Sequence, residues 1–496
     1  MTALKIIRLE LFINGRDVPA ASYFKVRDPG RLTDTVAEVA VGTAEDVGIA
    51  VDAAHKAFQS WRGTSLENRI ERLRAAANAL EIRSNELADL LVREQGMLRR
   101  DTLRDTANGV GSLREAALLA DPFLRAEEFR DDEAWVRVEK VPVGVVAAIV
   151  PWNAPMSLTM GKVGPALAAG NCIVVKPSPY APVAVSEALK TVAGFFPPGV
   201  INIVHGEDDV GTALTHHCLV RKISFTGGTR TGRAVMAAAA LSVKNIGLEL
   251  GGNDPAIVLD DVLPSEIVSE IIKGVFPRSG QVCYAIKRIY VPRRIYTDFC
   301  SVLCEAIDKY QVGYGLDPRS TFAPMNNKAQ FTYVRELIER ARKTGATVRE
   351  LGSKLDPASW ENGYYLRPTV ISEVLPDAEI VMSEQFGPVV PVVAYDSEED
   401  ALAMANATEY GLGSSIWGRD IERAKRLAQR VEAGMTFINS HARTALGGRH
   451  MPFGGMKQSG LGRAGTTVGL AEYVEYHAIS LNRKGVPAFA TTHAQA

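Results

Sequence analysis

Hydrophobic and polar residues follow two different periods along this chain. Near the N-terminus, apolar positions recur every three or four residues, which predicts helices over Thr43–Trp61 and Leu66–Glu94. Thr43 can cap the first of these helices, because Asp46 stands at the reciprocal position three residues later. We therefore expect the segment from residue 43 to residue 94 to be largely helical.

From Val141 the pattern changes to short apolar runs that are separated by helical stretches. These runs are Val145–Val150, Cys172–Lys176, Ile201–Val204, Lys222–Phe225 and Lys244–Leu248. Parallel strands joined by crossover helices give such a pattern. Polar or glycine-rich residues follow three of the runs, at 151–153, 176–178 and 226–228. Since ligands bind beyond the carboxyl ends of parallel strands, we expect these segments to meet at one edge of a sheet.

After Gly252 the alternation of strands and helices begins again, which predicts a second α/β lobe. Its elements are the strand Pro255–Leu259, a helix near Pro264–Val275, the strand Arg288–Val291 and a helix near Arg294–Tyr310. Asp131–Val141 and part of Glu472–Leu481 instead alternate polar and apolar residues. That alternation is typical of exposed strands, and we interpret them as an oligomerisation element.

Length and composition limit the classes of function. A chain of 496 residues suggests about three domains or lobes. With 46% hydrophobic residues, 23% charged residues and a net charge of -1, it offers no electrostatic case for nucleic acid or an anionic membrane. The start of the chain does not resemble a secretory signal, and no run is long enough for a membrane span. Five cysteines without a zinc spacing favour a reducing, cytoplasmic location and predict no metal site.

Two short runs supply candidate chemistry. Cys283 ends the run Phe-Pro-Arg-Ser-Gly-Gln-Val-Cys at 276–283, and Glu249 lies in Leu-Glu-Leu-Gly-Gly-Asn at 248–253. A cysteine thiolate can attack a carbonyl carbon, and a nearby carboxylate can activate water against the resulting acyl-sulfur intermediate. The alternatives are a small buried cysteine and a hydrogen-bonded glutamate at a strand end.

Seven runs, taken in order, resemble the NAD(P)-dependent aldehyde dehydrogenase superfamily from Pro151 to Arg463. They are Pro-Trp-Asn-Ala-Pro (151–155), Lys-Pro-Ser (176–178), Phe-Thr-Gly-Gly-Thr-Arg-Thr-Gly (225–232), Glu-Leu-Gly-Gly (249–252), Gly-Gln-Val-Cys (280–283), Glu-Gln-Phe-Gly-Pro (384–388) and Pro-Phe-Gly-Gly-Met-Lys-Gln-Ser-Gly (452–460). The resemblance implies that Cys283 attacks an aldehyde while the Asn153 side chain and the Cys283 backbone N–H stabilise the oxyanion. Glu249 would then activate water, releasing a carboxylic acid.

The resemblance also implies an NAD or NADP site. Gly227, Gly228 and Gly232 would approach a cofactor phosphate, where a strand passes into a helix N-terminus. The remaining implied contacts are Trp152 and Lys176 beside the adenosine half, Glu384 and Phe386 at the nicotinamide ribose, and Gly206 and Gly211 in a further turn. Pro179 replaces a glutamate that repels the NADP phosphate in many relatives, so either cofactor fits the sequence.

The implied fold is α/β, with a doubly wound parallel-sheet cofactor domain, a second α/β catalytic domain and a small β oligomerisation element. The expected boundaries are 1–120 and 142–251 for the first domain and 252–451 for the second. Residues 121–141 and 464–496 would form the oligomerisation element and tail. The tail from Lys484 shows no apolar periodicity, and the assembly would be a homodimer or homotetramer.

Departures from the family pattern concern the substrate. Ala154 and Gly161 stand where relatives that oxidise small aldehydes often carry aromatic rings, which predicts a wide tunnel for bulky or aromatic aldehydes. Tyr284, or the segment Ser440–Met451, could refill that space. Tyr284 also replaces a smaller residue, and Arg278 replaces a frequent asparagine.

Other functions remain open at this stage. Arg443 and Arg449 could hold the distal carboxylate of a semialdehyde, or could be ordinary surface arginines. His441 has no evident partner and is interpreted as structural or solvent-facing. A CoA-acylating semialdehyde dehydrogenase is a further alternative, although Glu249 argues against it. The chain could also be a non-catalytic scaffold that keeps the fold.

Overall fold

Two largely parallel β-sheets organise the chain in this computed structural model, which describes residues 6–443 and 450–482. The strands are β1 (Ile7–Leu9), β2 (Leu11–Ile13), β3 (Arg16–Val18), β4 (Tyr23–Asp28), β5 (Arg31–Ala40), β6 (Glu127–Arg130), β7 (Ala134–Pro142), β8 (Val145–Ile149), β9 (Cys172–Lys176), β10 (Ile201–Ile203), β11 (Val220–Thr226), β12 (Asn245–Glu249), β13 (Asp254–Val258), β14 (Ile286–Pro292), β15 (Gln311–Val312), β16 (Thr347–Glu350), β17 (Ser353–Lys354), β18 (Thr369–Ser372), β19 (Val389–Tyr395), β20 (Gly413–Trp417), β21 (Met435–Ile438), β22 (Gly460–Leu461) and β23 (Val474–Asn482). The helices are α1 (Ala44–Trp61), α2 (Leu66–Ile82), α3 (Ser84–Gln95), α4 (Arg99–Leu124), α5 (Pro155–Ala169), α6 (Val183–Ala193), α7 (Asp208–His216), α8 (Thr229–Ala240), α9 (Pro264–Val275), α10 (Tyr296–Ile307), α11 (Lys328–Lys343), α12 (Glu379–Met382), α13 (Glu398–Asn406), α14 (Ile421–Ala428) and α15 (Thr466–Ala471).

The first sheet is doubly wound, as the sequence predicted. Its strand order is β22-β12-β11-β8-β9-β10-β2-β3, and the five strands from β12 to β10 are parallel. The chain runs from β8 through β9 to β10 on one side and later adds β11 and β12 on the other. The strand order therefore reverses beside β8, and a crevice is expected where β8 and β11 end.

The second sheet has the order β16-β18-β19-β14-β13-β20-β21, in which only β16 runs antiparallel. Every residue of β13 and β14 is buried. Along β13, Ala256 and Val258 pack into one apolar cluster with α9 and α10, while Ile257 packs into another with α11. Successive side chains of a strand point to opposite faces, so both faces of this sheet are covered by helices.

A smaller antiparallel sheet has the order β23-β7-β6. β23 pairs with β7 along nine residues, from Val474 opposite Pro142 to Asn482 opposite Ala134. Large apolar side chains on this sheet are exposed, among them Phe129, Tyr476 and Leu481. The prediction that both segments form strands is confirmed, although β7 is half-buried rather than exposed and the two strands pair with each other in a separate small sheet.

The local predictions were correct for most elements. Thr43 and Asp46 form the reciprocal capping bonds at the start of α1, and α9 has the expected bounds. The prediction of a single helix over 66–94 was wrong, because the helix is interrupted at Arg83, between α2 and α3. Apolar positions keep their helical spacing across that break, so periodicity gave no sign of it. The tail from Lys484 lies outside the described residues.

Within residues 6–443 and 450–482, no helix combines the length and the apolar character needed to cross a membrane.

Candidate active site

A cleft of about 540 Å³ lies where β8 and β11 end. Its lining residues are Pro151, Trp152, Asn153, Thr226, Gly227, Gly228, Arg230, Leu250, Gly251, Cys283, Gln330, Tyr333, Glu384 and Phe386. Half of these were predicted as site residues from the sequence. The fold thus brings the expected thiol, amide, glycine turn and ribose-side carboxylate into one cavity.

The loop before Cys283 has an unusual backbone. Arg278, Ser279 and Gly280 all have left-handed φ angles of 52°, 56° and 77°. A non-glycine residue in that region costs about 1–2 kcal/mol, so surrounding contacts must hold the loop. The Ser279 hydroxyl exchanges hydrogen bonds with Ala323, at 2.9 and 3.0 Å. A side chain at Gly280 would place its Cβ 2.1 Å from the Gly387 carbonyl oxygen, so glycine is required there.

Cys283 is partly accessible from the cleft. Burial raises the pKa of the Cys283 thiol, and the carboxylates of Glu249, Glu384 and Asp254 raise it further. Each of these effects disfavours the thiolate. The surroundings of Cys283 in the free chain therefore favour the thiol over the thiolate.

Asn153 lies four residues beyond the end of β8 and is buried. Its Nδ2 donates to the Gln281 carbonyl at 3.2 Å. Gln95 Nε2 donates to the Asn153 carbonyl at 2.8 Å. A carboxamide carries two N–H donors, so one remains for the cleft that Asn153 shares with Cys283.

Glu249 is the last residue of β12 and lies in an adjoining cavity rather than in the large cleft. Burial raises the pKa of its carboxyl above the ordinary range, while the charges of Lys162 and Arg463 oppose that shift. Its Oε2 is buried without a hydrogen-bond partner among the described residues. Thr226 lines both cavities, and the Glu249 charge acts on the Cys283 thiol, so the two groups share one electrostatic environment.

The adjoining cavity, here called the tunnel cavity, has a volume of about 220 Å³. It is lined by Ser112, Glu115, Ala116, Leu119, Ser157, Leu158, Gly161, Lys162, Pro165, Thr226, Glu249, Tyr284, Phe453, Ala464, Gly465, Thr466 and Leu470. A Cβ added at Gly161 would meet nothing within 4 Å. Tyr284 forms part of the wall, edge-on to Phe453 at a centroid distance of 5.6 Å, and still leaves this space open.

Four predicted cofactor residues do not line the cleft. Lys176 is buried at the end of β9, and that burial lowers the pKa of its ammonium to about 8. Gly211 lies beside it, since an added Cβ would be 3.8 Å from the Lys176 side chain. Gly206 and Gly232 instead allow close packing. An added Cβ at Gly206 would lie 2.4 Å from the Val210 side chain, and one at Gly232 would lie 2.4 Å from the Leu250 side chain.

The cleft has the donors and acceptors that a nicotinamide dinucleotide needs. Gly228 is the exposed N-cap residue of α8, and no side chain caps this helix start, which leaves its first backbone N–H groups as donors for an anion. The hydroxyls of Thr226 and Thr229 are buried without partners among the described residues. Glu384 Oε1 accepts from the Gly252 N–H at 3.0 Å, and burial raises the pKa of this carboxyl to about 7. The residues present therefore fit the cofactor.

Sequence reasoning gave no role to seven lining residues of the cleft. Five of them lie within the motifs that carried the family resemblance, namely Pro151, Thr226, Arg230, Leu250 and Gly251. Arg230 lies in the same glycine-rich run as Gly227 and Gly228, so the run itself contained the signal. Gln330 and Tyr333 come from α11, far along the chain, and only the fold brings them to the cleft.

Of the two interpretations of His441, the structural one is confirmed and the solvent-facing one is wrong. The residue is buried, and its Nε2 donates to the Tyr284 carbonyl at 2.6 Å. It therefore has a partner and helps to hold the segment after Cys283. Arg443 is exposed, and Arg449 lies outside the described residues.

A cleft at the switch point of a doubly wound sheet, with an adjoining and largely apolar cavity, is typical of an enzyme that binds a nucleotide cofactor and a small substrate. The chain belongs to the aldehyde dehydrogenase family, whose model matches residues 18–479. It is an NAD(P)-dependent aldehyde dehydrogenase, and it oxidises an aldehyde.

Relatives and solved structures agree over nearly the whole chain. The glutarate-semialdehyde dehydrogenase of Pseudomonas putida is 36% identical over 489 residues, covering 95% of this chain and 97% of that protein. Aldehyde dehydrogenase C of Pseudomonas syringae, solved with NAD+ and octanal, superposes with a TM-score of 0.89 at 34% identity, covering 95% and 96% of the two chains. An NADP-dependent enzyme of E. coli superposes with a TM-score of 0.91 at 32% identity, covering 96% and 98%.

Alkylation of the free enzyme should report the protonated state of Cys283. We expect the iodoacetamide rate at Cys283 to rise with pH through pH 9 without a plateau, because burial and carboxylates raise the pKa of the thiol. Glu249→Gln should increase the rate at pH 9 by about 2- to 10-fold, since it removes one of those charges. Mass spectrometry of the labelled peptide measures this rate.

Glu305→Gln, at an exposed position, is the matched control and should leave the rate unchanged. A plateau near neutral pH would show that Cys283 is already a thiolate and would contradict this account of its surroundings.

Proposed function

We propose that this enzyme converts an aldehyde to its carboxylic acid through a covalent intermediate on Cys283, with water as the final acceptor. The observation that carries this proposal is that Cys283 and Asn153 line one cleft, while Glu249 lines an adjoining cavity that shares Thr226 with the cleft. Glu249 Oε2 has no hydrogen-bond partner within the part of the chain that the structure describes. As the Cys283 sulfur bonds to the aldehyde carbon, the C=O π electrons move to the oxygen, which then takes up the proton that the thiol has lost. A thiohemiacetal results.

The oxygen that becomes negatively charged in that step needs hydrogen-bond donors. The free N–H of the Asn153 carboxamide and the Cys283 backbone N–H are the candidates. A donor fixed in place before the reaction needs no reorganisation as charge develops, and its removal typically slows turnover by roughly 100- to 1,000-fold.

A bound NAD(P)+ would supply the oxidant by taking up, as a hydride, the two electrons that separate the aldehyde from the oxidation level of a thioester. Gly227, Gly228 and the start of α8 would hold its phosphates, and Glu384 would accept hydrogen bonds from a ribose. The rings of Trp152 and Phe386 meet edge-on with their centroids 5.4 Å apart, and they would form an apolar wall beside the cofactor.

Glu249 would act as the general base that removes a proton from the attacking water. A base works best when its pKa lies near the working pH, and burial moves the Glu249 carboxyl in that direction. Because only the carboxylate form accepts a proton, hydrolysis should speed up as the pH rises through this raised pKa. A glutamate in this place favours water over CoA as the acceptor.

Two substitutions test the mechanism. Cys283→Ala should lower kcat by at least about 1,000-fold, because the nucleophile is lost. Glu249→Gln should release a burst of about one equivalent of reduced cofactor per site and then nearly stop, because oxidation precedes the step that needs the base. Stopped-flow absorbance of the reduced nicotinamide measures both.

Glu305→Gln again serves as the control, with turnover unchanged. Full turnover by Cys283→Ala would overturn the covalent mechanism. A requirement for CoA in the wild-type assay would instead identify the acylating reaction.

We further propose that the substrate is a bulky, even aromatic, aldehyde. The open space beside Gly161 and the apolar lining residues Leu119, Leu158 and Leu470 support this proposal. Ala154 is half-buried and does not line the tunnel cavity, so Gly161 is the more important of the two positions. Semialdehydes remain the alternative, but the described lining residues of this cavity include no arginine for a distal carboxylate.

Filling the cavity at Gly161 should reverse the substrate preference. We expect Gly161→Phe to lower kcat/KM for benzaldehyde by at least about 10-fold and to change that for acetaldehyde by less than about 3-fold, because only the larger substrate needs the filled volume. Gly48→Phe is the control, since an added Cβ at this helical glycine also meets nothing within 4 Å. A clear acetaldehyde preference of the wild-type enzyme would contradict the proposal.

The two large sheets and the small sheet suggest three regions with separate functions. We propose that residues 1–120 and 142–251 bind the cofactor, that 252–451 supply Cys283, and that 121–141 with 464–496 mediate a homodimer or homotetramer. The exposed apolar side chains of the β23-β7-β6 sheet support the last assignment, because exposed strands with such residues pair or pack with other chains.

Charges on the small sheet should break up the assembly. The double variant Tyr476→Glu, Leu481→Glu should sediment as a smaller species than the wild type, whose protomer mass is 53.6 kDa. Leu375→Glu, at a position on the second lobe that is more exposed than either Tyr476 or Leu481, is the control and should leave the assembly intact. Unchanged sedimentation of the double variant would exclude this sheet as the interface.

A further inference from the structure

Arg278 joins the loop that carries Cys283 to the turn that carries Asn153. Its Nη1 donates to the Asn153 carbonyl oxygen at 2.5 Å. Its Nη2 donates to Asp105 Oδ1 at 3.1 Å. The side chain is only 13% exposed, so these contacts are made away from bulk water and are little weakened by it.

Asp105 extends this link to the start of α5. The carboxylate is 1% exposed, and it accepts from the Met156 N–H at 2.9 Å and from the Ser157 hydroxyl at 2.6 Å. These two residues follow Asn153 in the first turn of α5. Arg278 and Asp105 together therefore hold the Asn153 turn from both sides.

Gln281 completes a closed set of contacts around Asn153. The Gln281 N–H donates to the Arg278 carbonyl at 3.2 Å, and the Gln281 carbonyl accepts from Asn153 Nδ2 at 3.2 Å. The cysteine loop thus fixes both the backbone and the carboxamide of Asn153. Asn153 would donate from its side chain and Cys283 from its backbone N–H. These contacts hold the two residues together.

We propose that Arg278 is a positioning residue that aligns the Asn153 carboxamide with the Cys283 backbone N–H, so that both donors meet the same oxyanion. This inference rests on the proposed function of Asn153. Only a planar guanidinium can donate to the Asn153 carbonyl and the Asp105 carboxylate in two fixed directions, which an ammonium cannot do. Arg278 touches neither substrate nor cofactor in this role, since it does not line the cleft.

A double-mutant cycle tests the inference. Arg278→Met should lower kcat and kcat/KM together, by about 10- to 100-fold, with KM changed by less than about 3-fold, because an interaction of the transition state is lost. In an Asn153→Ala background the same substitution should lower kcat by less than about 3-fold further, since the donor that it positions is already gone. Arg104→Met, at an exposed arginine next to Asp105 in sequence, is the control and should leave kcat unchanged.

Alkylation separates positioning from a general loss of structure. Attack of Cys283 on iodoacetamide forms no oxyanion, so Arg278→Met should alkylate within about 2-fold of the wild-type rate. An equal loss of kcat in both backgrounds, or a parallel loss of alkylation, would overturn the inference.

If Arg278→Met does not fold because it leaves Asp105 buried without its cation, the double variant Arg278→Met, Asp105→Asn removes that charge as well. It should fold and should keep the low kcat, whereas a return to wild-type kcat would show that Arg278 only neutralises Asp105. Failure of the proposed role of Asn153 gives a different result, because Asn153→Ala alone would then keep the wild-type kcat.

Discussion

Removal of ionisable groups from water is the constraint on which the site depends. Desolvation is the largest influence on Cys283, Glu249 and Glu384, and it shifts each of them toward the neutral form. The same burial lowers the pKa of the nearby Lys287 ammonium to about 8. A charge that forms inside such a site interacts strongly with every fixed dipole and with every other charge, because little water screens it.

The protein provides that environment through topology. Strand order reverses beside β8, so the ends of β8 and β11 open a crevice, while β12 ends at Glu249 two strands from β8. The second sheet contributes the loop between α9 and β14, which carries Cys283. Helices cover both faces of that sheet, and this rigid support makes the strained backbone at Arg278 and Ser279 sustainable.

Several features were visible in the sequence because they are local. The capping pair of Thr43 and Asp46, the strand Cys172–Lys176 and the helix Pro264–Val275 each follow from residues that are close along the chain. The break at Arg83 was not predicted, because the apolar spacing continues through it. The partner of His441 was missed as well, since Tyr284 lies 157 residues away.

By itself, the sequence determined the order of strands and helices, the family and the identities of the reactive side chains, because these depend on local periodicity and on short ordered motifs. Only the tertiary structure decided that Glu249 faces a cavity separate from the main cleft and that Gly161 borders open space. It also decided that Arg278 holds Asn153 in place. Those three facts depend on which distant segments share a volume and exclude water from it, and such information is not contained in the spacing of residues along one stretch of chain.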